Sequence, residues 1–184
     1  MRYLTAIGAV AVAAIIAGAF YFLGGYYSVS GIQPEHDIVA AALGRVRVAS
    51  VNRHANDTTT MSLDDAAAAQ GGARAFLEHG CVNCHGGPGV KWAKFSEGLN
   101  PGPPDLKDSV NQLQPRELFW IVKNGIKMTG MPSFGAVGVP DQEIWMMVAF
   151  LKRLPTVSDE DFKTWSAPPP ETPAAAPAAA EAPK

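Results

Sequence analysis

The chain contains few cysteines and almost no excess charge, and each shortage excludes a class of protein. Its 184 residues include only Cys81 and Cys84, so an all-cysteine zinc site and a framework of several disulfides are both impossible. The formal net charge is -2, which leaves no electrostatic footprint for a nucleic acid. A chain of this length accommodates one ordinary domain with accessory segments.

Charged residues are also absent from one long stretch near the N-terminus. Residues 4–23 are uncharged and long enough to cross a hydrocarbon layer of about 30 Å as a helix. Arg2 favours a cytoplasmic N-terminus, while Tyr26 and Tyr27 suit the far interface. The alternative is a signal peptide cleaved at Ala17-Gly18-Ala19, but apolar residues continue beyond that site, so we expect a retained anchor. Both interpretations export the rest of the chain.

Composition divides the chain into an anchor (1–25), a helical spacer (26–61), one folded domain (62–158) and a disordered Pro/Ala-rich tail (159–184). The spacer is expected either to pack on the domain or to contact a partner. Within the domain, a helix capped by Ser62 and ending near Gly80 precedes a Gly- and Pro-rich loop at 86–113. Two further helices are predicted, at 115–123 and from Asp141 to Pro155.

The first domain helix ends in Cys81-Val82-Asn83-Cys84-His85, a C-x-x-C-H sequence. Two thiols three residues apart can each add to one vinyl group of a haem, while the following histidine ligates the iron. A thioredoxin-like redox pair would need a βαβ context, which this helical pattern lacks. A zinc knuckle would need two more ligands, and nearby His79 is expected to be a solvated residue at the helix end. The motif therefore predicts one covalent haem c.

A haem iron that exchanges electrons needs a sixth ligand, and methionine is the usual one in cytochromes c. Met131 lies in Thr129-Gly130-Met131-Pro132, a rigid loop between two predicted helices, and is the preferred candidate. Met128 is the alternative. The imidazoles of His36 and His54 are also chemically able to ligate iron. Both precede the attachment sequence, however, and are expected to be surface residues.

Residues 66–155, about half of the chain, resemble a class I (mono-haem) cytochrome c domain of the membrane-anchored bacterial type. The resemblance rests on the C-x-x-C-H sequence and on Gly130-Met131-Pro132, in the family's order. It implies an all-α, cytochrome c-like domain around one covalent haem, preceded by one transmembrane helix. It also implies thioether bonds from Cys81 and Cys84, with His85 and Met131 as iron ligands.

The resemblance implies supporting residues as well. The carbonyl of Pro104 would receive the N–H of the proximal imidazole, and Leu106 would pack on the haem. The first and last helices of the domain would cross, pairing residues 75–77 with 145–150. Trp120 is expected either to donate its indole N–H to a haem propionate or to be an aromatic core residue.

These residues predict an electron carrier rather than an enzyme, located on the periplasmic side of a bacterial inner membrane through a single-pass anchor. Its expected partners are redox proteins and the membrane. The alternatives are a cytochrome c subunit of a larger membrane oxidoreductase complex and a haem peroxidase or gas binder. Two roles are open for the lysines near the predicted haem loops: they attract an acidic redox partner, or they are ordinary solvated residues. These lysines are Lys91, Lys94, Lys107, Lys123 and Lys127.

Overall fold

The computed structural model describes residues 2–33 and 35–168, and its regular secondary structure there is entirely helical. The prediction of an all-α fold is confirmed. Eight α-helices occur in these described residues: α1 (Arg2–Leu23), α2 (Asp37–His54), α3 (Ala66–Glu78), α4 (Cys81–His85), α5 (Leu106–Ser109), α6 (Pro115–Asn124), α7 (Asp141–Arg153) and α8 (Asp159–Trp165). Three short 3-10 segments accompany them: Lys94–Gly98, Val110–Gln112 and Leu154–Thr156.

Helix α1 is long and apolar enough to cross a membrane, as the uncharged stretch predicts. It is 22 residues long, and none of its side chains is buried. Among the described residues it is the one helix with this length and composition. The chain separates into two compact units, one ending at Ala41 and the other beginning at Ala42. The second unit therefore includes most of α2, which the sequence assigned to the spacer.

Helix α3 begins at Ala66 because Asp65 caps it. The Asp65 carboxylate accepts a hydrogen bond from the backbone N–H of Ala67 at 3.1 Å, which satisfies one of the free donors of the first turn. The prediction that Ser62 is the cap was wrong. Its carbonyl instead accepts the N–H of Asp65 at 3.2 Å, closing a turn that precedes the helix.

Helices α3 and α7 cross and form the centre of the domain. Their backbones approach closely at Gly72, where an added Cβ would lie 2.9 Å from the backbone nitrogen of Met147. One turn later the rings of Phe76 and Phe150 lie 5.3 Å apart. The predicted pairing of 75–77 with 145–150 thus includes a real contact, and the crossing also includes Gly72, one turn before the predicted range.

Helix α6 packs on the other side of α7. Phe119 is fully buried and stacks on Trp145 with ring centroids 4.2 Å apart. Pro115 starts the helix and Gly125, with φ of +67°, ends it, as the sequence predicts. Since α6 and the following loop lead directly to Met131, the packing of Phe119 helps to fix where that methionine lies.

The C-terminal part of the described chain contradicts one prediction. Residues 159–184 were expected to be disordered, yet Asp159–Trp165 forms α8, and Phe162 is only 2% exposed. The Phe162 ring lies 5.6 Å from that of Phe150, so α8 contributes to the same core as α3 and α7. Burial of this aromatic ring is one of the contributions that oppose the entropy cost of ordering the short helix. The rest of the predicted tail, 169–184, lies outside the described residues.

Candidate functional site

The C-x-x-C-H sequence forms its own short helix, α4, immediately after α3. Gly80 separates the two helices with φ of +74°, a left-handed conformation that glycine adopts without strain. Cys81 and Cys84 are both half-buried and lie one helical turn apart. Two sulfur atoms are thus presented close together on a short rigid element, with His85 directly after them.

The chemistry of the thiols separates the possible roles of this pair. Burial raises the pKa of the Cys81 thiol to about 12. A redox-active C-x-x-C pair depends on a thiolate that is stabilised near neutral pH, whereas burial of Cys81 favours the protonated thiol. The described residues contain no group of three His, Cys, Asp or Glu side chains that could hold a metal ion.

The imidazole of His85 is oriented by a backbone carbonyl. Its Nδ1 lies 3.1 Å from the carbonyl oxygen of Pro104, the residue that the family resemblance implied. Such a contact fixes the ring and leaves Nε2 available to a metal. Burial lowers the pKa of His85, with the Pro104 hydrogen bond opposing this effect, so the neutral imidazole that can ligate a metal is favoured.

Pro104 is held in place by the helix that follows it. The Asp105 carboxylate caps α5 by accepting the backbone N–H of Lys107 at 2.8 Å. Leu106, the first residue of α5, packs against the hydrophobic core. A cavity of about 220 Å³ lies beside the imidazole and is bordered by both His85 and Leu106.

The loop that carries Met131 is held by its own hydrogen bonds. The Met131 carbonyl accepts the N–H of Ile126 at 3.2 Å, and its N–H donates to Thr129 Oγ1 at 3.1 Å. The Met131 side chain packs against the core. The Met128 side chain is 80% exposed, and its backbone has φ of +61°. Burial thus distinguishes the two candidates and favours Met131.

Trp120 and the lysines near the predicted haem loops differ in the residues that they contact. Trp120 is half-buried, and its ring stacks on the imidazole of His54, with centroids 6.2 Å apart. Lys123 forms an ion pair with Asp141 at 2.8 Å, and Lys94 forms one with Glu97. Two lysines border the cavity beside His85, namely Lys91 and Lys107.

His79 has a role that the sequence did not reveal. Its Nε2 lies 2.8 Å from a carboxylate oxygen of Glu143 in α7, and its ring meets Phe134 edge-on at 5.7 Å. The prediction that His79 is a solvated residue was wrong, because α7 and the loop after Met131 both cover it. Glu143 is 64 positions away, so no local pattern could have paired the two residues.

The donor set fits a haem. Two thiols one turn apart would bind its vinyl groups, a neutral imidazole with Nδ1 already bonded would reach the iron from one side, and a core-packed thioether is available. The family model described as cytochrome C oxidase, cbb3-type, subunit III, matches residues 67–151, just under half of the chain. No curated protein and no solved structure matches the chain. Residues 67–151 therefore form a class I cytochrome c domain.

Proposed function

We propose that this chain is a single-haem electron carrier tethered to a membrane. Cys81 and Cys84 would hold one haem c covalently, and His85 and Met131 would ligate its iron. The observation that carries the proposal is the 3.1 Å contact between His85 Nδ1 and the Pro104 carbonyl. Because this carbonyl occupies Nδ1, Nε2 is the ring nitrogen that would ligate the iron.

The residues of the chain would keep the iron environment unchanged during electron exchange. A bound haem supplies a one-electron couple between ferrous and ferric iron. The Pro104 carbonyl holds the His85 imidazole in one tautomer. The Met131 backbone is held by the hydrogen bond that it accepts from Ile126 and the one that it donates to Thr129. Because both ligand segments are restrained by the fold, little reorganisation would accompany oxidation or reduction. Leu106 would exclude water beside His85.

The location of the carrier follows from α1. A helix of 22 residues, uncharged apart from Arg2 at its start, would span the membrane with its N-terminus in the cytoplasm. The cytochrome domain would then lie on the periplasmic side of a bacterial inner membrane.

A second candidate function comes from the family description. The matching family is named as a subunit of an oxidase. The chain would then be one cytochrome c subunit of a larger membrane complex, passing electrons to or from a neighbouring subunit. Extraction in mild detergent separates the two possibilities, because a stable co-purifying complex supports the subunit, whereas a haem protein migrating alone supports the independent carrier.

Optical spectroscopy of the purified protein tests the ligands. We expect a low-spin reduced spectrum and, in the oxidised form, a sulfur-to-iron charge-transfer band. Met131→Ala should abolish that band and give a high-spin spectrum, whereas Met128→Ala, at an exposed position, should leave it unchanged. A high-spin wild-type protein that binds carbon monoxide rapidly at neutral pH would contradict the proposal and favour a peroxidase or gas binder.

Intact mass spectrometry tests the covalent attachment and the anchor together. The membrane-extracted protein should carry the mass of one haem and retain residues 1–25. Loss of the N-terminal residues would indicate a cleaved signal peptide, and absence of the haem mass would overturn the whole proposal.

A further inference from the structure

The end of α2 and the residues after it form a segment that packs on the cytochrome domain. We call residues 51–57 the strap. Val51 is 4% exposed and Ala55 is 1% exposed, although α2 is otherwise largely exposed. Val46 and Val48, on the same helix, are 65% and 53% exposed. Burial is therefore confined to the strap and is not a general property of this helix.

His54, between the two buried residues, connects the strap to α6. Its ring stacks on Trp120 with an interplanar angle of 27°. Its Nδ1 lies 2.8 Å from the carbonyl of Ser50, one turn earlier in α2. The imidazole is thus fixed from its own helix and covers one side of Trp120, which adds an aromatic contact to the apolar burial.

Asp57 provides a further link to α6. Its carboxylate lies 3.9 Å from Lys123 Nζ, and Asp141 lies 2.8 Å from the same nitrogen. Ion pairs this exposed contribute little to stability. We therefore expect the burial of Val51 and Ala55 to contribute more to the attachment than the Asp57 pair does.

The last turn of α6 is hydrogen-bonded directly to the loop that follows Met131. Ser133 Oγ donates to the Lys123 carbonyl at 2.7 Å, and the N–H of Phe134 donates to the Val122 carbonyl at 3.2 Å. The N–H of Gly135 also reaches the Lys123 carbonyl, at 2.9 Å. Any movement of this turn would be transmitted to the segment beginning two residues after Met131.

We propose that the strap is a positioning element for Met131, acting through Trp120 and Lys123 of α6. The inference rests on the proposed role of Met131 as an iron ligand. The strap lies outside residues 67–151, which match the family model. With the strap docked, the last turn of α6 is restrained and the thioether stays on the iron. With the strap released, the loop gains freedom and the thioether leaves more often.

The test compares the intact haem protein with strap variants. Val51→Asp places a charge at a buried position and should release the strap, and His54→Ala removes the Trp120 stack with less risk to folding. Val46→Asp introduces the same charge at an exposed position of α2, and His36→Ala removes an exposed histidine. These are the matched controls.

Two readouts distinguish a positioning role from a general loss of stability. In both strap variants the sulfur-to-iron band should disappear on heating at least about 5 °C below wild type. It should also disappear ahead of helix unfolding followed by circular dichroism. Carbon monoxide should bind the reduced variants about fivefold faster, which corresponds to about 1 kcal/mol in the Met131 equilibrium. Both controls should match wild type.

The outcomes also separate this inference from the proposed function. A wild-type protein without the sulfur-to-iron band would remove Met131 as a ligand and the strap's role with it. A wild-type band that strap variants leave unchanged would overturn only the strap. Band loss that coincides with helix unfolding in every variant would assign the strap to general stability and would likewise overturn the proposal.

Discussion

Gly72 of α3 lies directly against the backbone of Met147 in α7. A Cβ at this position would lie 2.9 Å from the Met147 nitrogen, and the backbone of Met146 is nearer still. Backbone atoms cannot move aside as the end of a flexible side chain does. The two helices therefore cross as closely as they do only because residue 72 lacks a side chain.

Gly72→Ala should separate α3 from α7 and destabilise the domain. Overpacking of this kind lowers the free energy of unfolding by about 1 to 3 kcal/mol. Each kcal/mol lost lowers the melting temperature by roughly 4 to 8 °C in a domain of this size. Thermal unfolding of the holoprotein, followed by circular dichroism, measures the change.

Two other helical glycines, one in α3 and one in α2, provide graded controls for this variant. Gly71→Ala would meet only the Met146 side chain, at 3.0 Å, so its effect should be much smaller. Gly44→Ala lies in a helix with nothing within 4 Å and should be neutral or slightly stabilising. Equal destabilisation by all three substitutions would show that helix contact at Gly72 is not the cause.

The helices and the haem attachment sequence could be predicted from the sequence because each is specified by residues close together in the chain. The C-x-x-C-H spacing, Pro115 at the start of α6 and Gly125 at its end each specify structure within a few residues. The contact of Gly72 with Met147 has no such signal, because adjacent glycines in an Ala-rich helix do not reveal what faces them. The same applies to the strap, since no pattern around Val51 indicates that it is buried while Val46 and Val48 are exposed.

The helix α8 is a different case, because a local signal was present. Ser158 caps α8 by accepting the backbone N–H of Asp161 at 3.0 Å, a Ser-x-x-Asp pattern that is typical of helix starts. The Pro- and Ala-rich composition that follows favoured disorder and obscured this cap. Composition averaged over a long segment is thus a poor guide to its first few residues.

Gly125 offers a test of the loop that carries Met131. It has φ of +67°, and an added Cβ would lie 2.8 Å from the Met131 carbonyl oxygen. Gly125→Ala should therefore combine a strained backbone, costing about 1 to 3 kcal/mol, with a clash that displaces Met131. We expect the sulfur-to-iron band of the oxidised protein to weaken or to be lost at a lower temperature.

Gly138 provides the matched control for Gly125. Its φ is +87°, but nothing lies within 4 Å of an added Cβ. Gly138→Ala should impose the backbone strain alone, lowering the melting temperature slightly while leaving the sulfur-to-iron band intact. If both variants weaken the band to the same extent, strain in general and not displacement of Met131 would explain the loss.

The bond between His79 and Glu143 should couple the end of α3 to the start of α7. A double-mutant cycle with His79→Ala and Glu143→Ala isolates their interaction from the loss of other contacts made by each side chain. We expect a coupling free energy of about 1 kcal/mol from chemical denaturation of the holoprotein, the usual net contribution of a hydrogen bond of this kind. Additive effects of the two substitutions would mean that the 2.8 Å contact contributes nothing to stability.

Phe162 tests whether α8 is part of the folded domain. Its ring is buried against Phe150 and also approaches Phe76, and an added Cβ on Gly87, two residues after His85, would lie 3.4 Å from it. Phe162→Ala should lower the free energy of unfolding by about 3 to 5 kcal/mol, whereas Phe162→Leu, which keeps most of the volume, should cost much less. Lys163→Ala, at an exposed position of the same helix, should have little effect.

Phe162 also lies close to the turn after His85, so its loss should affect the haem site as well as the core. We expect the alanine variant to lose its low-spin haem spectrum during unfolding as readily as it loses helix. An alanine variant as stable as wild type would show that α8 is dispensable.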